Sequence, residues 1–174
     1  MNAEWFGDSY DIVKRFFVGG LRDLGYQVYV DPMPTDDWVS YGSQFLRFVG
    51  AEHVREARPG KTALLLDPDT GIKKKRSPKH TTIADIVDQL DLHKIVFVFD
   101  QSFSRNRRVV LQLEDKLREL ADLGVDGFFY NSHAHFLFAS RSPSSLASAR
   151  EGFIKTGLPN SRFLSLSREA RPPT

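Results

Sequence analysis

Cysteine is absent from all 174 residues. That excludes a disulfide framework, thiolate-held metals and a cysteine nucleophile, and it accords with a reducing compartment. No apolar run approaches the roughly 18 residues needed to span a bilayer. The opening "MNAEWFGDSYD" has neither the basic nor the apolar part of a secretory signal. These absences predict a cytoplasmic protein with no membrane partner. Neither sign of charge dominates: 24 Lys and Arg stand against 22 Asp and Glu.

The chain is 41% hydrophobic and 26% charged, which is a globular composition. No internal repeat or linker divides it, so one domain is expected over residues 1–167, followed by a flexible tail, "REARPPT", at 168–174. The net charge of +2 conceals an uneven distribution. Lys73, Lys74, Lys75, Arg76 and Lys79 form one basic stretch, and Arg105, Arg107 and Arg108 form another. Clusters of this kind attract polyanions.

Apolar spacing predicts helices over residues 9–24, 38–49, 81–90 and 106–123. The first carries Ile12, Val13, Phe16, Phe17, Leu21 and Leu24, with Asp8 placed to cap it and Gly25 to end it. A last helix starts at Ser142 and Pro143. "YQVYVDP" reads as a strand stopped by Pro32. "TALLLD" and "KIVFVFD" are continuous apolar runs, as expected of strands covered on both faces. "DGFFYNSHAHFLFAS" reads as two strands joined by a tight connection, and "RFLSL" as an edge strand. Strands alternating with helices predict an α/β, Rossmann-like three-layer domain, its sheet mostly parallel with an antiparallel edge hairpin.

In such sheets ligands bind at the carboxyl ends of the strands. Asp31, Asp67 with Asp69, Asp100, and Asn131-Ser132-His133 lie there. Asp67, Asp69 and Asp100 are candidate ligands for Mg²⁺ or Mn²⁺, since these hard cations take carboxylate oxygens. A metal so held stabilises charge on a phosphoryl group and activates water. "DPDTG" also reads simply as a turn, because Asp, Pro and Gly favour turns. His133 is a candidate proton carrier, or one of two histidines in a hairpin connection. Lys73, Lys74, Lys75, Arg76 and Arg105 are candidates to hold phosphate. Arginines at a helix N-terminus oppose its dipole, which favours an anion there over a plain solvated turn. Asp8 and Asp11 read as an acidic helix cap, with Asp8 alternatively a further ligand. Asp36 and Asp37 read as caps of the next helix.

"GDSYDIVKRFFVGGL…YVDP" resembles the opening of ribosomal RNA adenine-N6 methyltransferases, in which a helix with a buried lysine leads into the first strand. "LLLDPDTG" stands where that family has an Asp-Pro-Pro-Tyr-like motif. The later elements are similar to its closing strands, the last two antiparallel. The resemblance implies a Rossmann-like sheet and methyl transfer. The chain departs from the family in having no glycine-rich turn after "VYVD" and in placing Asp69 and Thr70 at the second proline and the aromatic. Three functional expectations follow. The first is a metal-dependent nuclease or phosphodiesterase acting on nucleic acid or another phosphate-containing molecule. The second is a methyltransferase-like protein with an altered cofactor site. The third is a non-catalytic module that binds nucleic acid or protein.

Overall fold

The two apolar runs form the middle of the sheet in the computed structural model, which describes residues 6–33 and 38–166. They are β3 (Thr62–Leu66) and β6 (Ile95–Asp100), and every residue of both is buried. Around them stand β1 (Gln27–Asp31), β2 (Glu52–His53), β7 (Asp126–Tyr130), β8 (His135–Ser140) and β9 (Phe163–Leu164). The strand order is β2-β1-β3-β6-β8-β7-β9. β2, β1, β3 and β6 are parallel. β8 is antiparallel to both β6 and β7, and β9 is antiparallel to β7. The result is the expected α/β three-layer, Rossmann-like arrangement, with β8 inserted between β6 and β7.

Helices α1 (Ser9–Asp23), α2 (Trp38–Val49) and α5 (Pro143–Lys155) cover one face. Their core includes Phe17, Phe45 and Phe153 against Val28, Leu65, Phe97 and Phe138. Helices α3 (Ile83–Gln89) and α4 (Val109–Asp122) cover the other, through Ile86, Leu113 and Leu117 against Leu64, Val96 and Leu137. Alternate strand residues therefore belong to different layers, as a period of two requires. Ala63 and Leu65 join Ile95, Phe97 and Phe99 on the α1 face. Leu64 and Leu66 join Val96 and Val98 on the α4 face.

Three local features depart from the expected pattern. On α1 the buried stripe is Asp11, Lys14, Phe17, Val18 and Leu21, whereas Ile12 is 57% and Phe16 38% exposed. Helix α4 begins at Val109 rather than residue 106, because the Gln112 side chain closes the preceding turn through Ser104 and Arg107. A small parallel ribbon, β4 (Gly71–Ile72) with β5 (His80–Thr81), occupies what reads as loop and helix start. The capping box of Thr82 and Asp85 then starts α3. No helix among the described residues is long and apolar enough to cross a membrane. Residues 168–174, and the proposed caps Asp36 and Asp37, lie outside the described residues.

Candidate functional site

Asp8 caps α1, accepting from the backbone N–H groups of Tyr10 (2.8 Å) and Asp11 (3.0 Å). Asp11 in turn accepts from Gly7 N–H at 2.8 Å. This fixes the first turn, and one turn along Lys14 points inward on the same stripe as Phe17, Val18 and Leu21. Its ammonium donates to Asp11 at 2.9 Å and to the Asp67 carboxylate at 2.9 Å. Asp67 follows β3 and is anchored by its N–H to Asp31 O, 3.0 Å. Lys14 Nζ also lies over the rings of Phe99 (5.3 Å) and Phe45 (5.5 Å).

All three charged groups are buried. Burial pulls the Lys14 pKa down, but Asp67 and Asp11 outweigh it and hold it above its ordinary value. Burial pushes Asp67 up, against the opposing pull of Lys14. A buried ionic trio is no more stable than apolar packing of equal volume.

The trio floors a cavity of about 620 Å³ at the carboxyl ends of the strands, lined also by Asp8, Tyr10, Asp69, Phe99 and Gln101. Tyr10 packs on Phe99 (centroids 5.0 Å) and His133 (5.8 Å). Asp69 is paired with Lys79 at 3.7 Å, which puts a cation at the cavity rim. The sequence-predicted Asp67, Asp69 and His133 are thus gathered on the α1 face.

Asp100 is not among them. It has the parity of Val96 and Val98, so it faces α4, fully buried. Its carboxylate accepts from Ile72 N–H (3.0 Å), Ser102 N–H (3.1 Å) and the Ser102 hydroxyl (2.7 Å), and pairs with Lys116. These bonds clamp β4 onto β6. Gly71, at φ +115°, fits only because it lacks a side chain; an added Cβ meets Asp100 Cα at 2.8 Å and Gln101 N at 2.9 Å. Asp100 therefore lies on the opposite face of the sheet from Asp67 and Asp69, and among the described residues no three His, Asp or Glu side chains stand together as a metal site.

The predicted cations also divide. Lys73 and Lys74 line a second cavity, about 330 Å³, on the α4 face with Ser102, Phe103, Arg107 and Lys116. Arg76 pairs with Asp85 at 3.1 Å. Lys75 and Arg105 are exposed. The two hairpin histidines separate as well, His133 lying against Tyr10 and His135 against Phe103 (4.7 Å).

Sequence reasoning did not name Lys14 or Tyr10 among the candidate site residues, although the resemblance pointed to a buried lysine in this helix. The signal for Lys14 was its spacing of three, four and seven from Phe17, Val18 and Leu21, the residues of a buried stripe. Compared with protein-family models, curated proteins and solved structures, the chain matches none.

Proposed function

We propose that the α1-face cavity binds an amino-bearing nucleobase of a nucleotide or nucleic acid, with Asp67 accepting a hydrogen bond from the amino group. One observation carries this reading. A cleft of ligand size at the strand ends joins aromatic walls, Tyr10 and Phe99, to a carboxylate-rich floor. Aromatic faces stack on planar rings, and carboxylates accept hydrogen bonds from ring amino groups. Four aspartates against one lysine favour such donors over a bare phosphate. Lys79 at the rim meets the phosphate that a base brings with it.

Burial pushes the Asp67 pKa up, and Lys14, 2.9 Å away, pulls it back down. The resemblance to adenine-N6 methyltransferases favours the amino nitrogen as the reacting atom. The buried Lys14 and the antiparallel pair β7–β8 agree with that resemblance. The turn after β1 does not suit the glycine-cradled cofactor of that family. It has no glycine from Asp31 to Asp37, and the Asp31 side chain is turned onto Met33 N–H at 3.1 Å. No methyl-transfer step is derived from it.

Calorimetric titration of nucleoside monophosphates into the protein and into Asp67→Asn tests this reading. Binding that is weakened at least tenfold in the variant is expected. Equal binding to both proteins removes Asp67 from the site.

Metal-dependent phosphoester hydrolysis is the second reading, favoured by Asp67 and Asp69 lining one cavity. Mg²⁺ and Mn²⁺ need only one or two carboxylates when waters and phosphates complete the shell. Cleavage of nucleic acid that depends on Mn²⁺ and is lost in Asp69→Asn supports it. No cleavage with either metal rejects it.

A further inference from the structure

The two cavities at the strand ends lie back to back. The ridge between them is Thr70–Ile72 packed on Asp100–Ser102, held by Gln101 N–H to Thr70 O (3.1 Å) and Ile72 N–H to Asp100 (3.0 Å). Asp69 and Gln101 line one cavity, and Ile72 and Ser102 line the other. Their chemistry differs. The α1-face cavity holds Asp8, Asp11, Asp67 and Asp69 around one lysine. The α4-face cavity holds Lys73, Lys74, Arg107 and Lys116 with two hydroxyls, against Asp115 and Glu119. Arg107 is taken by Asp115, and Lys116 by Asp100. Lys73 and Lys74 make no ion pair among the described residues, and both are exposed. Phe103 lines this cavity too, with Lys116 Nζ over its ring at 4.6 Å and His135 against it at 4.7 Å.

We infer that the substrate is a single-stranded polynucleotide that crosses this ridge. One base enters the α1-face cavity, and the neighbouring phosphates pass Lys79 to reach Lys73 and Lys74. The next base then stacks on Phe103. The inference rests on the nucleobase reading of the first cavity and adds the polymer. Cations that track a backbone, interleaved with aromatic platforms, are what sequence-tolerant single-strand binding requires. A duplex keeps its bases stacked and cannot place one in the cleft without extruding it. The ribbon β4–β5 presents the basic residues 73–79 as a loop, fixed at its base by Lys73 N–H to Thr81 O (2.8 Å) and Thr70 N–H to Lys79 O (3.1 Å).

Fluorescence anisotropy with single-stranded DNA and RNA from one to about eight nucleotides tests it. The wild type is compared with Lys73→Glu/Lys74→Glu and with Phe103→Ala, which is expected to lose part of the gain with length; an unchanged gain in it removes Phe103 from the path. The expected result is at least a tenfold gain in affinity from mononucleotide to the longer oligomers. The lysine variant loses that gain but binds mononucleotide as before. Its salt dependence falls by about 1.4 in slope, at about 0.7 for each phosphate contact of a single strand. Mononucleotide binding with no gain from length overturns the polymer inference and leaves the nucleobase reading standing. A gain that survives in the lysine variant also overturns it, since the backbone then runs elsewhere. Failure of every nucleotide to bind overturns both.

Discussion

Asp67 and Asp100 end neighbouring parallel strands, yet their carboxylates lie on opposite faces of the sheet. Register pairs Leu66 with Val98, so Asp67 stands level with Phe99 and Asp100 comes one residue later. With a side-chain period of two, that single residue sends Asp67 to Lys14 of α1 and Asp100 to Lys116 of α4. The two acids therefore have different surroundings, one in a cleft and one in a clamp.

Replacing Asp100 is expected to cost stability rather than ligand affinity. Asp100→Ala leaves Lys116 and two backbone N–H groups without their acceptor, a loss of about 3–5 kcal/mol for a broken buried pair. Urea unfolding measures it. A loss below about 1 kcal/mol, within the range of ordinary surface substitutions, contradicts the clamp.

Gly71→Ala tests the same clamp from the other strand. The substitution strains a positive φ and forces a methyl group against the backbone of Asp100 and Gln101. Together these are expected to destabilise by on the order of 2–4 kcal/mol. Thermal unfolding of the variant at or above the wild-type midpoint contradicts the close approach.

Lys14→Met leaves Asp11 and Asp67 buried without a counter-charge, at a cost of about 3–5 kcal/mol near neutral pH. The sign of its pH dependence follows from Asp67. Burial already raises that pKa above 3.8, and Lys14 alone opposes the rise among the neighbouring side chains. Without the lysine the folded value climbs further. A raised carboxyl contributes stability that is present below its unfolded pKa and lost as pH rises through the folded one. The variant is therefore expected to gain stability relative to wild type on acidification from about pH 8 toward pH 4. Urea midpoints at both ends of that range measure it, and a variant whose stability relative to wild type is unchanged or falls on acidification contradicts it. In the wild type the raised Lys14 contributes stability that persists below 10.5 and is lost above it.

Much of the fold was legible in composition and period. Thr62–Leu66 and Ile95–Asp100 announce buried strands because both faces of each are covered. Ser142 and Pro143 announce α5 by its cap. The ribbon of Gly71–Ile72 and His80–Thr81 was not legible, because two residues carry no period. On α1, counting hydrophobic residues gave weight to Ile12 and Phe16, whereas the buried stripe begins with Asp11 and Lys14. The strand tips pointed to the edge where the cavity lies, but which acids line it depends on parity. Asp67 and Asp100 look equivalent in sequence until the register of β3 on β6 is known. His133 and His135, two apart, separate because the connection turns between them, leaving His133 beside Tyr10 and His135 beside Phe103.

The most direct measurement is the affinity of adenosine, cytidine and uridine monophosphates for the wild type and for Tyr10→Ala, by calorimetry. Adenine and cytosine carry an exocyclic amine and uracil does not, so a carboxylate-floored cleft predicts about tenfold weaker binding of the uridine nucleotide. Loss of the Tyr10 ring predicts a further weakening of about 1–3 kcal/mol for the amino-bearing bases. Uridine monophosphate binding as tightly as the other two, or none of the three binding, contradicts the nucleobase site.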